Sequence, residues 1–177
     1  MNAIFKRRSV REFLPKAVEP EKIERILRAA FQAPSAHNRQ PWEFLVVTGK
    51  DDLKAVAGMS PWAKLCAAAP ALIACCANLK RGDPGYGDPN IKMTEEALWE
   101  QDLSAATQNA LLQICDEGLG GVWLGWYPAK ERVDSFKAYF KLPEHIVPVT
   151  LIALGYPAKE GQSKDRFDPA RVHYEKW

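Results

Sequence analysis

Apolar residues recur near the start of the chain at the spacing of one helix face, and then the period changes. Ile23, Ile26, Leu27, Ala30 and Phe31 stand three to four positions apart, which predicts a helix over residues 21–32, with Pro20 in its first turn and Ala33-Pro34 ending it. Residues 42–47 are β-branched and aromatic enough for a strand, and the turn residues after them lead into a short helix over 52–57. Following Pro70, residues 71–77 are continuously apolar, the mark of a buried strand. A glycine- and proline-rich loop over 81–90 comes next, of a kind that serves as lid, binding loop or disordered segment. The longest helical pattern spans 94–117, with Leu98, Leu103, Ala106, Asn109, Ala110, Leu112 and Ile114 apolar or small around most of the circumference, and Gly118 closes it. A glycine-punctuated strand over 120–126, an amphipathic helix over 130–140 and a second buried strand over 146–154 complete the regular elements. Residues 155–177 are polar and aperiodic, and are expected to wrap the domain or a partner.

At 177 residues, with 47% hydrophobic and 26% charged positions, the chain has the size and composition of one globular domain over 1–177. Such a chain buries roughly 70% of its unfolded surface. The first residues carry no apolar stretch of signal-peptide length, and no window reaches the roughly 18 apolar residues of a membrane span. A cytoplasmic protein with no membrane partner is the expectation. Cys66, Cys75, Cys76 and Cys115 lie in apolar stretches without CxxC spacing, which favours buried thiols over disulfides or zinc; no metal is expected. A formal net charge of +2 without a long basic stripe leaves no footprint for nucleic acid.

Against that modest net charge, Arg7, Arg8 and Arg11 fall within five residues around Ser9, and Lys164 and Arg166 form a second basic cluster near the other end. Arginine's planar fork suits bidentate phosphate binding, so cations drawn from both ends of a fold fit a phosphate ester; a solvated charged turn is the alternative. Between the first helix and first strand, Pro34-Ser35-Ala36-His37-Asn38-Arg39-Gln40-Pro41 packs hydrogen-bonding side chains onto a stiffened backbone. It reads equally as a plain loop or as a surface for a polar ring system. The stretch Gly118-Leu119-Gly120-Gly121-Val122-Trp123-Leu124-Gly125 is not a dinucleotide fingerprint, because its glycines follow a helix and enter a strand. Glycines so placed let a flat ligand approach the backbone.

Taken in order, RRSVREF, APSAHNRQPWEF, GLGGVWLGWYP, VPVTLIALGYPAKE and KDR resemble the nitroreductase family of FMN-dependent oxidoreductases over nearly the whole chain. The resemblance implies an α+β fold with a central, mostly antiparallel sheet flanked by helices. It implies a homodimer joined through the long central helix, with FMN sites at the subunit interface. It further implies FMN binding by Arg7, Arg8, Ser9 and Arg11, by Lys164 and Arg166, by Pro34, Ser35, Ala36 and Asn38 of the other subunit, and by Lys64. Leu124 and Gly125 would lie along the ring near N5, and Arg11 and Gly125 would bear on the chemistry. Reduced FMN carries charge at N1 and C2=O, so a guanidinium aimed there favours reduction and no side-chain acid or base is obligatory. The expected activity is NADH- or NADPH-dependent reduction of a nitroaromatic, quinone or similar small-molecule acceptor by a ping-pong mechanism. Enone reduction, dehydrogenation, dehalogenation and non-enzymatic flavin binding are the alternatives. Acceptor choice is assigned to the loop over 81–90, with Tyr86 as its aromatic contact.

Overall fold

The two runs of continuous apolar residues lie side by side at the centre of one four-stranded sheet, whose strands are in order β1 (Trp42–Val47), β2 (Ala71–Asn78), β4 (Ile146–Gly155) and β3 (Gly120–Gly125), antiparallel at every junction. The computed structural model describes residues 2–83 and 98–177. In chain order it contains α1 (Ala3–Lys6), α2 (Pro20–Phe31), a 3-10 turn (Ala36–Asn38), β1 (Trp42–Val47), α3 (Lys50–Gly58) and a second 3-10 segment (Pro61–Ala68). Then follow β2 (Ala71–Asn78), α4 (Leu79–Gly82), α5 (Trp99–Asp116), β3 (Gly120–Gly125), α6 (Lys130–Phe140), β4 (Ile146–Gly155) and a last 3-10 turn (Pro169–Arg171). This is the α+β architecture expected from the sequence.

β2 and β4 read as unbroken apolar runs because both their faces are covered. Ile73, Cys75 and Ala77 pack with Ile26 of α2 and with Leu103 and Ile114 of α5. The alternate residues Leu72, Ala74 and Cys76 pack with Leu53 and Val56 of α3 and Phe136 of α6. The period of two in a strand thus divides one apolar run between two cores, each fully buried large side chain contributing about 1.5 to 3 kcal/mol.

Several boundaries differ from the sequence pattern for local reasons. α3 starts at Lys50, two residues early, since Gly49 supplies the extended cap and Asp51 and Asp52 occupy the first turn, where the helix dipole favours acids. The 3-10 segment Pro61–Ala68 was not foreseen, although Ser60-Pro61 is a starting signal: Ser60 Oγ accepts a hydrogen bond from the Trp62 amide at 3.3 Å. β3 stops at Gly125 rather than 126. α5 buries a single stripe, Trp99, Asp102, Leu103, Ala106, Thr107, Ala110, Leu111 and Ile114. Gln101, Ser104, Gln108 and Asp116 on its far side are exposed, so small residues had made it look more apolar than it is. Residues 84–90 of the glycine-proline loop, with Tyr86, and the expected helix start at 94 lie outside the described residues.

Candidate functional site

β3 is the last strand of the sheet, laddered to β4 on one side and bridged on the other by Ser9 at Gly121. Opposed residues of an antiparallel pair alternate between bonding one another and turning outward. The Trp126 amide donates to the Val149 carbonyl at 3.0 Å, and Gly125 stands opposite Thr150, so residues 121, 123 and 125 turn their backbone groups to the outer edge. Two contacts agree with that phase. The Val10 amide donates to the Gly121 carbonyl at 3.1 Å, and Arg132 Nη1 donates to the Gly125 carbonyl at 2.8 Å. The Trp123 and Gly125 amides therefore point out along the same edge.

At that edge opens a cleft of about 240 Å³ lined by Arg11, Ser60, Trp62, Leu65, Leu124, Gly125, Trp126 and Arg132, among others. Among the described residues, two guanidinium groups and no carboxylate line it, a charge balance that suits an electron-rich or anionic molecule. Among the described residues, and apart from its chain neighbours, a Cβ added at Gly125 would meet no atom within 4 Å. Packing within the chain does not demand that glycine, and its bare backbone leaves room for a ligand. Trp62, on the 3-10 segment, stands 77% exposed beside the cleft.

The basic motif runs as a strap beside β3. Ser9 forms a parallel bridge with Gly121, and a Cβ on Gly120 would lie only 2.5 Å from the Val10 side chain, so glycine there permits the close approach. Further along, the Leu14 amide donates to Tyr156 O at 2.8 Å and the Ala158 amide to Glu12 O at 3.0 Å. Arg7 and Arg8 consequently lie at the β3 start, around a hollow of about 90 Å³ shared with Lys6, Gly120 and Gly121, while Arg11 reaches the cleft at the β3 end. Gly121 and Gly125 are four residues apart, about 13 Å along a strand. Arg8 Nη2 donates to Lys159 O at 2.6 Å, tying the strap to the start of the tail that carries Lys164 and Arg166, both exposed.

The other sequence candidates stand apart from this cleft. Pro34, Ser35, Ala36 and Asn38 belong to the loop before β1, tied to α5 by the Ala36 amide donating to Asp102 Oδ1 at 2.9 Å and held within itself by the Gln40 amide donating to Ser35 Oγ at 3.0 Å and Gln40 Nε2 to Asn38 Oδ1 at 3.0 Å. His37, Asn38 and Gln40 all have φ near +50°, a cost of the order of 1 kcal/mol each for residues with a Cβ. Lys64 is exposed on the 3-10 segment whose Trp62, Ala63 and Leu65 line the cleft, but does not itself line it. A larger groove of about 640 Å³ between α2 and α5 mixes Arg25 and Arg28 with Asp116 and has no strand-edge amides. Burial pushes the Cys66 thiol up to about 12 and Cys75 to about 11, which keeps both protonated and inert at neutral pH.

Arg132 escaped the sequence reading. A signal was present: it stands in the first turn of α6, where the helix dipole disfavours a cation.

Comparison with known proteins adds the lineage. The model of the nitroreductase family matches residues 4–71. A relative from Archaeoglobus fulgidus, named "Putative NADH dehydrogenase/NAD(P)H nitroreductase", is 39% identical over 180 residues, covering 100% of this chain and 98% of its own. Among solved structures, a "Putative NADH Oxidase" from Clostridium acetobutylicum superposes with a TM-score of 0.89 at 41% identity, covering 99% of this chain and 100% of its own. An "FMN-dependent Nitroreductase" from Clostridium difficile R20291 gives 0.84 at 26% identity, covering 97% and 96%. With full-length identity of this order on the same fold, the chain belongs to the nitroreductase family.

Proposed function

We propose that the protein is an NAD(P)H-dependent flavin oxidoreductase that binds FMN along the free edge of β3 and reduces nitroaromatic, quinone or similarly electron-poor acceptors by a ping-pong mechanism. The observation that carries this reading is the joining of Arg11 and Gly125 in one cleft that no carboxylate of the described residues lines, with Arg7 and Arg8 a strand's length away. Kinship with an FMN-dependent nitroreductase and with a relative named for NAD(P)H supports the choice of cofactor and donor.

The residues fit FMN. Arg7, Arg8 and Ser9 at the strap's start, joined by Lys164 and Arg166 from the tail, would hold the phosphate through charge-assisted bonds. The outward amides of Trp123 and Gly125 would meet the polar edge of the ring, and the bare Gly125 backbone would admit it. FMN, when bound, supplies reversible two-electron redox chemistry. Arg11 would place positive charge beside the pyrimidine side of the ring, where negative charge gathers on reduction. Leu124, Leu65 and the tryptophans would keep water from the cleft, and donor and acceptor would occupy the same space in turn.

The loop holding Pro34, Ser35, Ala36 and Asn38 does not reach its own chain's cleft, and a second copy of the chain would supply it. The site would then be complete only in a homodimer. The test is the absorption spectrum of the purified protein, with a flavin band near about 450 nm, followed by NADH and NADPH oxidation with menadione and a nitrofuran. A colourless protein that takes up no FMN overturns the reading. Bound flavin without NAD(P)H oxidation would turn it to a flavin-binding protein.

A further inference from the structure

We infer that Arg132 is a second-substrate anchor: its guanidinium recognises an anionic oxygen group, carboxylate or phosphate, on a planar molecule entering the cleft at the end of β3. This goes beyond the proposed redox activity and rests on it only for the identity of the visiting molecule.

Four observations converge. Arg132 lines the cleft with Arg11, and among the described residues no carboxylate does. Its guanidinium is fixed: Nη1 donates to the Gly125 carbonyl at 2.8 Å, and Cζ lies 5.9 Å from the centre of the Trp126 ring. The backbone is held reciprocally, since Trp126 Nε1 donates to Arg132 O at 2.7 Å and Trp126 is only 1% exposed. Among the described residues Arg132 has no ion pair, although Glu131 and Asp134 flank it in sequence; Asp134 instead pairs with Lys130.

A surface arginine whose nearest acids stand one and two residues away on the same helix gains no pair from them, since such positions do not face each other. This one uses a single donor on a backbone carbonyl and keeps the rest of its five-donor fork on a cleft that already holds another cation. Two like charges facing one cavity, one of them in the first turn of a helix, are unfavourable without an anion. A bound anion removes that penalty. Pre-fixing the guanidinium also lowers the entropy lost on binding. Trp62 and Trp123 on the same walls offer faces to a ring attached to that anion.

The anionic group has two possible sources, an acidic acceptor or the phosphate of the nicotinamide donor. Calorimetric titration of the purified protein with two pairs that share a ring and differ in the anionic group separates them: benzoate against benzamide, and nicotinamide mononucleotide against nicotinamide riboside. In the wild type the anionic member of one pair should bind roughly ten- to a hundredfold more tightly than its neutral-tailed counterpart, the range of one charge-assisted contact. Arg132→Gln should erase the gap, while Arg132→Lys, which keeps the charge but loses the fork, should retain part of it. The pair that shows the gap identifies the source. No gap in either pair, or a gap that survives Arg132→Gln, overturns the assignment. If the protein takes up no FMN, the titrations still read Arg132, so failure of the flavin reading and failure of this one are told apart.

Discussion

Gly125 is the residue at which packing and binding separate most cleanly. Its missing side chain faces open space, so Gly125→Ala should leave stability within about 0.5 kcal/mol of wild type, read by thermal unfolding of the apoprotein. FMN affinity should fall by about 1 to 3 kcal/mol, the range for forcing an extra methyl into an occupied space. Equal affinity in the two proteins would place the ring elsewhere. Arg11 tests the electrostatics of the same wall. If it faces the pyrimidine side of the ring, Arg11→Ala should lower the reduction potential by about 30 to 60 mV, the equivalent of a charge-assisted bond of about 1.5 to 3 kcal/mol lost from the reduced form. A redox titration showing an unchanged potential with much weaker FMN binding would move Arg11 to the phosphate.

At the scale of elements, the contact that joins α2 to the end of α5 is electrostatic. Arg25 grips Glu117 with two bonds of 2.8 Å, Gln113 adds a third at 2.9 Å, and Lys22 donates to the Glu117 carbonyl at 2.8 Å. The Arg25 bond, then the Gln113 bond, holds the Glu117 carboxyl down at about 2. A carboxyl depressed in the folded state contributes stability above its unfolded pKa and loses it as pH falls through the folded value. The contribution should therefore be complete at neutral pH and fade between about pH 5 and pH 2. Arg25 is half exposed and Glu117 only 11% exposed, so solvent screening limits the effect. Glu117→Gln should cost about 1 to 2 kcal/mol at pH 7 and much less near pH 2.5, measured by urea unfolding at both values. A pH-independent difference would mean the loss is one of packing.

For the whole molecule, the placement of residues 34–38 away from the cleft and the exposure of Phe167, Tyr174 and Trp177 in the tail both look beyond one copy of the chain. Sedimentation at micromolar protein should show a stable dimer. Removing residues 162–177, with Lys164 and Arg166, should weaken FMN binding and dimerisation together. A flavin-bound monomer from either protein would show the cleft to be complete within one chain. If the loop over 81–90 governs acceptor choice, Tyr86→Ala should change the ranking of quinones against nitro compounds, measured as ratios of kcat/KM; an unchanged ranking would remove that role.

Much was legible in the sequence because the rules involved are local. The helical period located α2 and α6, and β-branched and aromatic, glycine-punctuated or continuously apolar runs located the four strands, all to within two residues, while the paired cores forced β2 and β4 to be continuously apolar. The resemblance carried by RRSVREF and GLGGVWLGW pointed to Arg11 and Gly125, which line one cleft in the structure. What the sequence could not decide was convergence across the fold. Residues 11, 62, 125 and 132 meet only because β3 is the edge strand, and strand order depends on tertiary pairing rather than on the strand's own pattern. The phase of the β3–β4 ladder then chose which amides face outward and which carbonyl Arg132 would hold. Local chemistry selected the elements, while the register and order of the sheet, set by burial on two faces at once, selected which of their residues share a site.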